Sequence, residues 1–520
     1  MPSAPDVEAN VYKQLDPSLS IWAPTCSRLW RFIVSMILAI FLSAGASVVM
    51  QVTGQHDAHM PITSRKPLVE STSKDQSGEW SSDRVHSLPG LLEPMTEVIH
   101  AGYVNVDQRA GNNLFYYFVQ SSRVKAGEAI EVVPLVIWFN GGPGASSLVG
   151  TFIEKIGPYE LQPDRSLKPN PYSWNTLAHL MSWDQPAGSG YSYSDTGTFV
   201  TSMEQMAEQI GRGMLAFYER HPEYSRSPVY IAGESFAGKI IPHFASWILD
   251  TNAASRTEVV PLRGLAIGNG VMFPFTQVGS LFTLATDLGY ATDWSLGRAN
   301  HSYERCRQLL RGPPADNQGW KQAYMACQDV EDQIYNKAVP FLYDARQTVD
   351  PLEGVLGDGA YAVQYFRSAA VRAALNVGDH LFDNLDADMP GNLVSDNLRR
   401  PQIEDLPEGM LPRLIKHYRV LLYAGNFDIT WCNHLGLERS IDNLQWEGAA
   451  AWHNATSCPW KKEGETLGVL RSVGNFTYLV MLNTGHLVPW AVPSHAIEML
   501  RRVLGSGWSD VCTAAASPQH

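Results

Sequence analysis

Cysteine is scarce in this sequence: there are six in 520 residues, at Cys26, Cys306, Cys327, Cys432, Cys458 and Cys512. No pair has the close spacing of a zinc site, so no metal is expected. Positive charge is also short. Lysine and arginine total 39 against 52 acidic residues, a net charge of −13. A chain with no basic excess has little with which to neutralise phosphates, which argues against a nucleic-acid partner. Charged residues make up only 18% of the chain and hydrophobic residues 45%, which excludes wholesale disorder and supplies a large core. There is no internal repeat and no long low-complexity tract. The 520 residues suit one large domain with an insertion, or two domains.

Long apolar runs are absent too, with one exception. Residues 32–52 carry no charge, follow Arg28 and Arg31, and at about 20 residues can span a bilayer as a helix. The arginines would hold the N-terminal end in the cytoplasm and leave the bulk of the chain lumenal or extracellular. The alternative is a signal segment cleaved after Ala44-Gly45-Ala46. Residues 1–30 read as a polar tail, and 53–90, rich in Ser, Pro, His and charge, as a flexible stem or pro-segment. Three Asn-x-Ser/Thr sequons, at Asn300, Asn454 and Asn475, are candidate glycosylation sites. Together with the apolar segment they favour the secretory pathway, where disulfides persist.

From residue 91 to about 510 the pattern is that of a catalytic α/β domain. Apolar runs with strand-forming residues occur at 114–119, 130–139, 180–183, 229–232 and 262–267. Helical spacing is found at 203–221 and 236–249. Strands alternating with helices predict a mostly parallel central sheet flanked by helices. The alternation stops at about 275–350, a more polar and helical stretch that reads as an inserted cap. Strand-like runs return at 419–423 and 476–482, and 494–504 closes the domain as an amphipathic helix, with a loose tail after about 508.

Three stretches carry the chemistry. Gly233-Glu234-Ser235-Phe236-Ala237-Gly238 lies between a strand and a helix, the setting in which a sharp turn projects a nucleophilic serine. Glycine is expected two residues after the serine, whereas here Ala237 comes first and Gly238 next. A serine needs a base and the base needs an orienting acid, in the chain order serine, acid, histidine. Asp428 and His486 each follow a strand-like run in that order. A third stretch, Trp138-Phe139-Asn140-Gly141-Gly142-Pro143-Gly144, offers backbone N–H groups at a strand end, as an oxyanion site requires, although such a glycine loop is also compatible with a plain turn.

These motifs, together with Trp183-Asp184-Gln185-Pro186 and Gly485-His486-Leu487-Val488-Pro489, resemble those of the serine carboxypeptidases, in order, over about 95–505. The resemblance implies an α/β-hydrolase fold, a Ser235–His486–Asp428 triad, and an oxyanion hole at the N–H groups of Gly142 and Phe236. It implies that Asn140, Gly141, Glu154 and Glu234 bind the terminal carboxylate of a peptide substrate, with Trp138 supporting Glu234. No cofactor is implied. Two glutamates can grip a carboxylate only if burial raises their pKa values so that one keeps a proton. Peptide hydrolysis is therefore expected to be favoured at acidic pH. The sequence departs from the family in having Ala145 where a cysteine is common, and in an acid segment, Asp428-Ile429-Thr430-Trp431-Cys432-Asn433, that is one residue longer than usual. Cys306–Cys327 and Cys432–Cys458 are the expected disulfides. A carboxypeptidase-like acyltransferase would use the same triad, and an inactive lumenal binding protein the same scaffold.

Overall fold

The computed structural model describes residues 83–512 except 313, 336–338, 357–358, 384–392 and 509. The polar tail, the apolar segment 32–52 and most of the stem lie outside the described residues. Among the described residues no helix is long and apolar enough to cross a membrane.

Six parallel strands form the centre of one sheet, in the spatial order His179–Trp183, Leu135–Phe139, Val229–Glu234, Leu262–Gly268, Arg419–Gly425 and Phe476–Met481. Each is a short run dominated by apolar residues, the composition expected of a strand covered on both faces. Both flanks are antiparallel. Arg84–Val85, Ile99–Asp107 and Asn112–Val119 extend one side, and Glu465–Val473 and Cys458–Lys462 the other. The sheet is thus mixed, with its parallel part confined to the centre.

Strand alternation divides the core in two. Leu135, Ile137 and Phe139 face the side covered by the helices Met203–Arg220 and Ala237–Ser255. Val136 and Trp138 face the other side, covered by Ser147–Phe152, Tyr361–Arg367 and Pro493–Leu504. The insertion supplies three helices, Pro274–Asp287, Asp293–Leu310 and Asn317–Tyr335, with a core of their own built on Val278, Leu281 and Val330. Ile429 and Trp431 belong to that core, so the insertion packs directly on the loop that carries Asp428.

Several expectations change. The run at 130–139 is not one strand: Ile130–Val132 is a short 3-10 turn, and the strand starts at Leu135, after Pro134, which has no N–H to give a ladder. The stem ends before residue 83, because Asp83, Val85 and Leu88 are buried and Arg84–Val85 pairs with Ile99 and His100. The chain is fastened at Trp508, which is buried, and at Cys512, which is bonded to Cys458, so the described residues run past the expected start of a loose tail. Cys306–Cys327 forms as expected and joins two helices of the insertion. The Cys432–Cys458 pairing does not. Cys458 sits on an edge strand beside the C-terminal segment, while Cys432 is a buried free thiol at the catalytic cavity.

Candidate active site

Strand register sets the site. Phe139 and Ile267 both pair with Gly233, Gly268 with Glu234 and Tyr423, and Gly425 with Met481. The C-terminal ends of five strands therefore finish level, at the sheet edge where open α/β sheets bind ligands. The loops leaving these ends carry Asn140, Ser235, Asn269, Asp428 and His486.

Ser235 has φ +62°, the left-handed backbone of a sharp strand-to-helix turn. Its neighbours must be small. A Cβ on Gly233 would meet the Phe139 carbonyl oxygen at 2.4 Å, and one on Gly238 would meet the Val271 backbone nitrogen at 2.7 Å. Gly238 is thus the glycine that permits close backbone approach, and Ala237 can stand where the general pattern places glycine. The turn is tied down by Ser235 N donating to the Gly268 carbonyl at 3.0 Å and Val271 N to the Ser235 carbonyl at 2.9 Å.

His486 Nδ1 lies 2.7 Å from Asp428 Oδ2, and both residues are buried. This bond leaves Nε2 as the ring nitrogen available to the serine, and His486 and Ser235 line the same cavity of about 1270 Å³. Asp428 is surrounded by donors. Asn269 Nδ2 gives to Oδ2 at 2.7 Å, and Thr430 N and Oγ1 give to Oδ1 at 2.9 and 2.8 Å. The lengthened acid segment thus closes as a tight turn in which Thr430 caps the carboxylate. Asn269 and Thr430 have no role in the sequence reading. Asn269 itself takes a positive φ of 43° at the end of its strand.

Gly141, Gly142 and Phe236 also line the cavity. Among the described residues neither the Gly142 nor the Phe236 N–H donates to a protein acceptor, so both remain open to an oxyanion. Beside them Asn140 Nδ2 donates to Glu154 Oε1 at 2.8 Å and approaches Glu234 Oε1 at 3.4 Å. The Oε2 atoms of both glutamates are buried and lack a conventional donor. Both carboxyls lie against the same Asn140 amide, and like charges this close in a buried site favour a protonated carboxyl over two ionised ones. Burial pushes the Glu154 carboxyl up to about 7, against the pull of Asn140 and Glu234. Glu234 is raised well above the ordinary carboxylate range by burial first and then by the charge of Glu154.

Trp138 supports Asn140 and not Glu234: its Nε1 donates to Asn140 Oδ1 at 2.8 Å. The two side chains are two residues apart on an extended chain, so they project to the same face. Gly150 N gives a second bond to that oxygen at 3.0 Å, which fixes the amide with its NH2 toward the glutamates.

One other cluster among the described residues has metal-ligand side chains: Asp83, His100 and His221. Asp83 already accepts from His100 Nδ1 at 2.8 Å, from His221 Nε2 at 2.7 Å and from the Tyr116 hydroxyl, and the Arg220 guanidinium lies 3.7 Å away. Burial alone would raise its pKa, but these hydrogen bonds hold the carboxyl well below the usual range. A carboxylate so matched needs no cation. It anchors the first described strand to the sheet.

Residues 89–506 match the family model described as serine carboxypeptidase. A pheromone-processing carboxypeptidase kex1 of Pyrenophora tritici-repentis is 33% identical over 461 residues, covering 84% of this chain and 69% of that protein. A serine carboxypeptidase S10 family member 1 of Dictyostelium discoideum is 31% identical over 407 residues, covering 77% of this chain and 92% of its own. Among solved structures, a prohormone-processing carboxypeptidase from Saccharomyces cerevisiae superposes with a TM-score of 0.65 at 24% identity, covering 78% of this chain and 91% of that one, a likeness of fold. With the motifs, the fold and the family match in agreement, the chain belongs to the serine carboxypeptidase family and is a serine-type carboxypeptidase.

Proposed function

We propose that Ser235, His486 and Asp428 hydrolyse the last peptide bond of a substrate whose free carboxylate is held by Asn140, the Gly141 N–H, Glu154 and Glu234. The observation that carries this reading is the buried Glu154–Glu234 pair, bridged by the Asn140 amide, in the same cavity as Ser235. The pair can donate to an incoming carboxylate, which an ordinary acidic patch would repel. His486 Nε2 takes the Ser235 proton as Oγ attacks the scissile carbonyl. The N–H groups of Gly142 and Phe236 stabilise the oxyanion. The C–N bond breaks as the imidazolium returns its proton to the departing amine, and water then hydrolyses the acyl-enzyme by the same path. The two disulfides and exposed Asn300, Asn454 and Asn475 support maturation in an oxidising secretory compartment. Asn454 is the better glycan acceptor, because Thr456 of its sequon is exposed, whereas Thr477 of the Asn475 sequon is buried and hydrogen-bonded to Ser472. The Ser302 hydroxyl of the Asn300 sequon is buried and donates to Asp329.

The test is pH dependence. A raised carboxyl pKa means that the grip is complete at acidic pH, where both carboxyls are protonated, and weakens as pH rises through about 7, where Glu154 ionises and leaves Glu234 as the one protonated partner. The kcat/KM for a peptide should fall across that interval, and that for a substrate whose C-terminus is blocked as an ester should hold up. Parallel profiles for the two substrates would remove the glutamate pair from the binding site.

A second expectation concerns Gly150→Ala. The added Cβ would lie 2.2 Å from Trp138 Nε1 and 2.7 Å from Asn140 Oδ1, so the amide must move. The KM for peptides should rise roughly tenfold or more, the order of one lost hydrogen bond to a charged group, while blocked-ester hydrolysis changes little. Equal losses on both substrates would show that the damage reaches the triad.

A further inference from the structure

We infer that Tyr343 is a positioning residue for the catalytic histidine, resting on the reading of Ser235, His486 and Asp428 given above. The chain leaving the insertion passes between the two loops that hold the acid and the base. There it bonds to both. Ile429 N donates to the Leu342 carbonyl at 3.2 Å, and Ala345 N to the Phe427 carbonyl at 2.9 Å, which brackets Asp428. His486 N donates to the Tyr343 carbonyl at 2.6 Å, and Arg346 Nη1 to the Asn483 carbonyl at 2.8 Å, which holds the histidine loop. Arg346 is itself fixed by paired hydrogen bonds to Asp344 and by its guanidinium 5.0 Å from the Phe427 ring centre. Tyr290, from the insertion, donates its hydroxyl to the Ala345 carbonyl at 2.9 Å.

Within this strap the Tyr343 ring lies flat on the His486 imidazole, with centroids 4.6 Å apart and planes 16° apart. The fit is tight behind it. A Cβ on Gly485 would lie 2.0 Å from the Tyr343 carbonyl oxygen, and a Cβ on Gly425 would lie 1.9 Å from the Gly485 carbonyl oxygen. Asp428 fixes the imidazole by one hydrogen bond, about which the ring can still rotate. A flat ring against its face removes that rotation. When the imidazole takes the serine proton, the same aromatic face meets a cation, a favourable contact. The exposed part of the Tyr343 ring lines the same cavity, so Tyr343 is expected to act on the rate of acyl transfer, and its effect is separated from substrate contact by reading kcat against KM.

The experiment compares wild type, Tyr343→Phe and Tyr343→Leu. The readouts are thermal unfolding, steady-state hydrolysis of a peptide and of a blocked ester, and the rate of Ser235 labelling by a fluorophosphonate. Tyr343→Phe keeps the flat ring and should stay within about twofold of wild type. Tyr343→Leu should lower kcat on both substrates by roughly 10- to 100-fold, the scale on which a misplaced catalytic group is felt, with a parallel fall in labelling and KM little changed. If Tyr343→Leu does not fold, Tyr343→Met replaces it, with the same expected loss. A folded non-aromatic variant with wild-type kcat and labelling overturns the inference, as does a change confined to KM. A wild-type protein that neither labels nor hydrolyses peptides would instead overturn the underlying catalytic reading.

Discussion

Ser235→Ala should abolish measurable peptide and ester hydrolysis alike, a fall in kcat on the order of a millionfold if the residue acts as the nucleophile of a triad. The substitution suits the test because it removes one oxygen and little else. Alanine can occupy the turn at some backbone strain, and the elbow hydrogen bonds to the Gly268 carbonyl and from Val271 use only main-chain atoms. The carboxylate site beside it should survive, so the variant should still bind a peptide with a free C-terminus. Loss of turnover with retained peptide binding, by calorimetry or fluorescence, is the expected pair of results. Residual activity within a hundredfold of wild type would show that another group attacks the carbonyl.

Asp428→Asn should cost nearly as much, about 10⁴-fold in kcat, with a small effect on KM. The reason is the donor set. Oδ2 accepts from His486 Nδ1 and Asn269 Nδ2, and Oδ1 accepts from Thr430 N and Oγ1. An amide NH2 placed on either side meets an N–H that cannot turn round. If it faces His486, the imidazole must change tautomer, and Nε2 then carries a hydrogen and cannot take the serine proton. A loss below about tenfold would mean that the carboxylate does not control the tautomer. Thermal unfolding of the same variant separates this loss from a folding defect.

The sequence made the proposed triad legible because each member ends an apolar run at a turn rich in glycine, and parallel strands bring such turns to one edge. The six central strands were legible for the same reason. Of the flanks only Asn112–Val119 was, as the run at 114–119. Ile99–Asp107 and Glu465–Val473 mix buried with partly exposed residues and contain glycine, so they lack the unbroken apolar signature of the centre. Asn269, Thr430 and Tyr343 escaped notice because their contribution lies in which chemical group they touch, and those partners are 159, 2 and 143 positions away. The misassigned partner of Trp138 is a different case. Strand geometry places Trp138 and Asn140 side by side, so the correct partner could have been read from spacing alone. The wrong disulfide reflects a real ambiguity: Cys432 and Cys512 were both available to Cys458, and only the path of the chain decides between them.

The Cys458–Cys512 bond encloses 54 positions of chain, and His486 lies inside that ring while Ser235 does not. Closing a ring of this size removes unfolded-chain freedom equivalent to about 4 kcal/mol in the simplest polymer treatment. The two halves of the proposed catalytic apparatus are consequently secured by different means: the segment of His486 by a covalent hoop that depends on the redox state of its surroundings, and that of Ser235 by non-covalent burial in the middle of the sheet.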